Sequence, residues 1–209
     1  IVNPGYFHLR ESLLVNKPSN KVNESYKEMR DGFDKILKQS KDNIIILGGA
    51  TSLYFFNKRV KGRALHFDKQ FVDSKSMKYD EDSIKNDFIN LIQDLSINNK
   101  IILVYPIPEI GTNLQTRKFE NMVRVYNYYY SDFLMQNKEV INFFDGINFS
   151  NVYKVYPYKI FCNKDTDLCK THNSKDFFFF DGYHPSLEGA KMINSLIINE
   201  IKMIENLNN

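Results

Sequence analysis

Apolar residues recur at three- and four-residue steps in several stretches of the chain, the signature of a helix with one buried face. From about Val22 to Lys41 they are Tyr26, Met29, Phe33, Ile36 and Leu37, and from Asp82 to Asn98 they are Ile84, Phe88, Leu91, Ile92 and Leu95. A Tyr-rich helix is predicted over Thr116 to Gln136. A last one runs from about Ser186 to Asn206, carrying Leu187, Ala190, Ile193, Leu196, Ile197, Ile201 and Ile204. Between them lie short runs that are apolar on both faces, as interior parallel strands are. Asn43 to Leu47 ends at Gly48-Gly49, Ile101 to Tyr105 stops at Pro106 and Pro108, and Glu139 to Phe144 closes at Asp145-Gly146. Ile1 to Ser19 reads as irregular, and Asn57 to Asp82 as a loop. Phe177 to Phe180 is a short apolar approach to a turn at Asp181-Gly182.

Helix and strand alternate, which predicts an α/β fold with a mostly parallel sheet and helices on both faces, a three-layer α/β/α arrangement. Ligands in such folds bind where loops leave the carboxyl ends of the strands. No internal repeat or boundary divides residues 1–209, so a single domain is expected.

The composition supports this and excludes other classes. With 43% hydrophobic residues, 17 Phe and 13 Tyr, the chain can fill a core without Trp. Its net charge of +3 is scattered rather than blocked, which speaks against nucleic acid as a partner. No apolar run reaches the roughly 20 residues that span a bilayer, and no signal peptide opens the chain. It starts at Ile1 rather than Met, so the expectation is a piece of something longer. Cys162 and Cys169 flank a polar hexapeptide, a spacing that does not suit zinc. A local disulfide, implying an oxidising compartment, and a pair of free thiols both stand as readings.

The chemistry concentrates in Phe177-Phe-Phe-Phe-Asp-Gly-Tyr-His-Pro-Ser-Leu-Glu-Gly-Ala190. A carboxylate at Asp181 and an imidazole at His184 sit three residues apart in a turn before a helix. The carboxylate can fix the tautomer of the ring and stabilise the imidazolium formed when it takes a proton, which makes the ring a general base for a hydroxyl. The alternative is an Asp that caps the last helix beside a surface His. Elsewhere, His8, His66 and His172 read as solvated side chains and Ser52 as the start of a helix. Glu109 is either a cleft carboxylate or a surface one. Tyr126, Tyr128, Tyr129 and Tyr130 read as core and rim, or as a platform for sugar rings.

The segment FDGYHPSLEGAKMI resembles the last block of the SGNH hydrolase superfamily. More narrowly, it resembles the extracytoplasmic SGNH domain fused behind the membrane-embedded acyltransferase-3 module of bacterial surface-glycan O-acyltransferases. NIIILGGATSLYF and IILVYPIPEIG resemble that subgroup's strands, the second with its Pro-x-Pro-Glu segment. The Cys162–Cys169 pair stands just upstream of the Asp-x-x-His block, as the subgroup's paired cysteines do, and FFFF stands where the family has a short strand. The resemblance covers roughly Asn43 to Ile198.

It implies a flavodoxin-like sheet and a Ser–His–Asp mechanism with His184 as base and Asp181 as its orienting acid, needing no cofactor and no metal. An acetyl or similar acyl group, delivered by a membrane acyltransferase domain, would pass to a cell-surface glycan such as a polysaccharide or lipopolysaccharide. The setting would be periplasmic, tethered to the membrane, with Cys162 and Cys169 bridged. Two family features are missing. No Gly-Asp-Ser occurs in the 209 residues, so the nucleophile and first strand are expected upstream of Ile1. The Gly-x-Asn-Asp oxyanion block is replaced by Gly48-Gly49-Ala50-Thr51. A carbohydrate esterase with the same residues, or a glycan-binding module without its serine, are the rival expectations.

Overall fold

The computed structural model describes residues 10–16, 19–49, 51–56, 69–110 and 128–207. They fall in two compact units, and the chain passes between them more than once.

The first unit holds most of the described residues up to Val104, together with the segment from Glu139 to Lys154. Helix α1 (Glu24–Gln39) starts where the Asn23 side chain accepts the Tyr26 N–H at 3.0 Å. Helix α2 (Thr51–Phe56) is short, and α3 (Glu81–Asn98) is capped by Asp80, whose carboxylate accepts the N–H groups of Asp82 and Ser83. Strand β3 (Ile44–Leu47) pairs in parallel with β5 (Lys100–Val104), with Ile44 opposite Lys100 and Leu47 opposite Leu103. The other neighbour of β5 is β7 (Val152–Val155), and Ile101 donates to the Asn151 carbonyl at 2.8 Å. This parallel sheet with its helices makes the fold α/β. Leu91 and Leu95 of α3 pack with Ile101 of β5, and Ile45, Leu47, Leu37 and Val152 close over them. A ring cluster of Phe55, Phe88, Phe143 and Phe144, with centroids 4.8–6.2 Å apart, forms a second part of the core.

The turn from α3 into β5 is built on Asn99. Its buried side chain donates to the carbonyls of Leu95 and Ser40 and accepts from the Asn43 N–H, so one amide ties the start of β3 to the end of α3. Beside it, Asp42 takes a positive φ of 57° and donates its N–H to the Asn98 carbonyl.

Several sequence expectations are corrected in this unit. Residues expected to be irregular or loop form β1 (Ser12–Asn16) and β4 (Lys69–Asp73), and β2 (Lys21–Val22) lies at the predicted start of the first helix; together they make an antiparallel sheet in the order β2-β1-β4. The pairing runs from Ser12 opposite Asp73 to Asn16 opposite Lys69 and buries Leu14, Val15, Phe71 and Val72. Partners so far apart in the chain leave no local mark. Glu139 to Phe144 is not a strand but the end of helix α4 (Tyr130–Asp145). Phe133, Asn137, Val140 and Phe144 are buried at steps of four, three and four, a helical period that the adjacent apolar residues mask. The strand comes later, as β7.

The second unit holds Tyr105–Lys138 and Val155–Asn209 among its segments. Here β6 (Tyr128–Tyr129), β8 (Cys162–Asn163) and β9 (Leu168–Cys169) form a small antiparallel sheet in the order β6-β9-β8. Of the predicted helix from Thr116 to Gln136, the part over 116–127 lies outside the described residues. Tyr128 and Tyr129 are strand, and the helix begins at Tyr130. The one-turn helix α5 (Tyr158–Phe161) leads into β8, and α6 (Leu187–Asn206) ends the unit with Gly189, Ile193 and Ile204 buried. Phe177 to Phe180, expected as a short strand, makes isolated bridges instead, His172 with Phe177 and Phe179 with Pro185.

Candidate active site

Asp181 and His184 meet as the spacing predicts. Asp181 Oδ2 lies 2.7 Å from His184 Nδ1, while Oδ1 accepts the backbone N–H groups of Tyr183 at 2.7 Å and His184 at 2.8 Å. The aspartate folds the turn with one oxygen and orients the ring with the other, the habit of Asp at the head of a tight turn. Phe180 N–H closes the loop onto the His184 carbonyl at 2.8 Å. Asp181 is not the cap of the last helix. Ser186 is, its hydroxyl accepting from Gly189 N–H at 3.2 Å and donating to the Phe177 carbonyl at 2.5 Å.

Burial of the Asp181 carboxyl works to raise its pKa. The hydrogen bonds from the His184 ring and from the His184 and Tyr183 amides, with the charge of His184, outweigh burial and leave the pKa below the ordinary value. The His184 side chain is 72% exposed, against 29% for Asp181. Nothing among the described residues hydrogen-bonds Nε2, so that edge of the ring faces solvent while Nδ1 is held by Asp181.

The segments around the turn hold it in place. Phe178 donates its N–H to the Thr171 carbonyl at 2.9 Å, and its own carbonyl accepts Ser186 N–H at 2.9 Å. The Phe178 and Phe179 rings lie 5.9 and 5.2 Å from that of Phe161, the last residue before the cysteine hairpin. Cys162 and Cys169 stand opposite each other in that hairpin and are joined by a disulfide. Sequence reasoning missed Phe161, Phe178 and Gly189 as supports. The available signal was a glycine in the first turn of a helix, where a better helix former is expected unless something approaches the backbone.

Other sequence candidates lie apart in character. His172 is half-buried, with Nδ1 3.1 Å from the Thr171 hydroxyl and its ring against Phe177. Tyr128 is buried, its hydroxyl donating to Gln136. Burial first, then the charges of Glu109 and Asp132, raise its pKa. Tyr129 is exposed, and Tyr130 stacks on Phe133 and Tyr158. Ser52 is the second residue of α2, as a helix start, and belongs to the first unit. His8, His66, Tyr126 and Ala50 lie outside the described residues.

Gly48 stands where only a small residue fits, since a Cβ there would lie 3.1 Å from that of Val104, and Gly49 has a φ of 149°. Thr51, the last residue of the Gly48-Gly49-Ala50-Thr51 segment, is buried, and its hydroxyl has no hydrogen-bond partner among the described residues. No group of three or more His, Cys, Asp or Glu among the described residues is arranged to hold a metal.

A parallel sheet with its helices and an Asp–His turn before the last helix are consistent with an SGNH domain. The chain belongs to the family described as "SGNH domain (fused to AT3 domains)", whose profile matches residues 4–199. No curated protein matches it. A solved structure described as "a putative platelet activating factor from Streptococcus pneumonia" is similar at 12% identity and a TM-score of 0.37. That match covers 85% of this chain and 99% of the other.

Proposed function

We propose that the chain is the acyl-transferring part of a membrane O-acyltransferase, moving an acetyl or similar small acyl group onto a hydroxyl of a cell-surface glycan. The 2.7 Å contact between Asp181 and the ring of His184, with the far nitrogen open to solvent, carries the reading. With Nδ1–H held by the carboxylate, Nε2 takes the proton of a serine hydroxyl as the serine oxygen bonds to the acyl carbon. The leaving group of the donor departs with that proton. Nε2 then takes the proton of a glycan hydroxyl as it attacks the acyl-serine, and the serine leaves, reprotonated by the ring.

The nucleophilic serine is not assigned to any residue of this chain, in which no Gly-Asp-Ser occurs. Fusion to AT3 domains within the family supports a donor delivered by a membrane acyltransferase, and the Cys162–Cys169 disulfide supports an extracytoplasmic setting. No helix among the described residues is long and apolar enough to cross a membrane.

The exposure of His184 favours a second reading, an esterase in which water replaces the glycan. In cells making the full-length protein, His184→Ala is expected to remove O-acetyl groups from the surface polysaccharide, read by proton NMR of the purified glycan at equal protein levels. Unchanged acetylation would take His184 out of the mechanism. Added glycan acceptor that raises turnover of p-nitrophenyl acetate and becomes acetylated supports the transferase, whereas acetate release alone supports the esterase.

A further inference from the structure

We infer that the Cys162–Cys169 disulfide positions the Asp181–His184 pair, acting through Phe161. The inference rests on the proposed function for its meaning but on separate contacts for its geometry.

The bridge joins directly opposed residues of a two-strand hairpin, and that hairpin is held from its other side. Strand β9 also pairs with β6, with Cys169 opposite Tyr128. At the hairpin tip, Asp167 accepts the backbone N–H and the hydroxyl of Ser131, both at 2.7 Å, and the Tyr130 N–H donates to the Asp167 carbonyl at 3.0 Å. The bridged hairpin is therefore fixed at its tip, along one edge and across its base.

From this base two routes lead to the turn. Along the backbone, Lys170 N–H donates to the Phe161 carbonyl at 2.8 Å, and the next residue, Thr171, receives the N–H of Phe178 at 2.9 Å. Through side chains, the buried ring of Phe161 touches those of Phe178 and Phe179. Phe178 in turn accepts Ser186 N–H, and Phe179 bridges Pro185. The Asp–His turn, residues 180–185, is thus hung between two phenylalanines whose places are set by Phe161, one residue from the disulfide. The His184 side chain is itself mostly exposed, so its contact with Asp181 is what holds the ring. Small movements of Phe178 and Phe179 pass straight to the geometry of Asp181, since packed contacts transmit displacement rather than absorb it.

Opening the bridge removes the covalent tie across the hairpin base while its tip and edge stay held, so Phe161 gains freedom to shift and the carboxylate loses its aim at Nδ1. The helix α6 and the first unit keep their own contacts. Cleavage should therefore loosen the pair without unfolding the chain.

The test reads the tautomer of His184, which a merely structural bridge would not change in a chain that stays folded. The ring nitrogens are followed by long-range proton–nitrogen NMR, with the signals of the four histidines sorted by His184→Gln. Three preparations are compared, namely the oxidised chain, the chain treated with a water-soluble phosphine, and Cys162→Ser/Cys169→Ser. The phosphine is oxidised to its oxide as the bridge takes up two electrons and two protons. Phe161→Leu, with its disulfide formed, gives a second route should the bridge-free chains not fold. The oxidised chain is expected to hold His184 as the Nδ1–H form. In folded chains without the bridge, and in Phe161→Leu, the ratio of Nδ1–H to Nε2–H should fall at least about fivefold as the charged hydrogen bond is lost. An unchanged ratio in Phe161→Leu, or in any folded bridge-free chain, overturns the inference while leaving the proposed function standing. An oxidised chain without the Nδ1–H form removes the pair itself, and the inference with it.

Discussion

Gly189 stands against the carbonyl of Phe178, so that a Cβ at position 189 would lie 2.0 Å from that oxygen and 2.9 Å from its carbon. The first turn of the last helix and the strand-like approach to the Asp–His turn touch backbone to backbone there. Ser186 completes the joint, with its N–H on Phe178 and its hydroxyl on Phe177. Gly189→Ala must push the two apart. It is expected to destabilise the chain by about 1–3 kcal/mol, the usual cost of overpacking, measured as a lower urea midpoint with an unchanged slope. A midpoint equal to that of the parent would show that the joint has room to give.

Asp181 sets the second expectation. Asp181→Asn can still fold the turn by accepting the Tyr183 and His184 amides, but no longer favours the Nδ1–H tautomer or an imidazolium. If the pair acts as proposed, acyl transfer should fall about 10³–10⁴-fold in kcat with little change in KM. A small or purely KM effect would argue for a structural carboxylate.

The same residue gives a pH dependence whose sign follows from its lowered pKa. A carboxyl held below its ordinary value of 3.8 in the folded chain binds fewer protons there than in the unfolded chain. Its contribution to stability is present above the ordinary value and is lost as pH falls through the lower folded value. The stability gap between the parent and Asp181→Asn should stay level near neutrality and shrink only below about pH 4. Urea titrations across this range would measure it, and a gap that closes well above that pH would contradict the assignment.

Asp87 is a buried carboxylate on α3 that accepts the N–H groups of Glu11 and Ser12 at 2.9 and 3.1 Å, tying that helix to β1. Asp87→Ala leaves both amides without a protein partner. The expected loss is about 2–4 kcal/mol, seen by denaturation. A loss below half a unit would mean that water reaches both groups.

Thr51 offers a different contrast. Its hydroxyl is buried and has no partner among the described residues, so Thr51→Val removes an unmet polar group at nearly the same shape. Stability should hold or rise, by up to about 1 kcal/mol. If acyl transfer falls while stability holds, the hydroxyl serves the reaction, and unchanged transfer would show that it does not.

Features that depend on neighbours in the chain were legible from the residues alone. Helices α1, α3 and α6 follow from apolar steps of three and four, and β3 and β5 from short apolar runs before Gly and Pro. The nearness of Asp181 to His184 is legible for the same reason, since positions three apart meet in a turn, and a local bridge between Cys162 and Cys169 is one of the two readings that so short a spacing allows.

Folding in three dimensions settled the rest. Whether Glu139 to Phe144 is strand or helix depends on which side chains find a core, and burial at Phe133, Asn137, Val140 and Phe144 chose the helix. The pairing of Leu13 with Val72, the contact of Phe161 with Phe178 and Phe179, and the closeness of Gly189 to Phe178 join residues that no local preference links. Such contacts form only when burial of apolar surface repays the entropy of closing the chain between them, and that balance is struck by the whole fold.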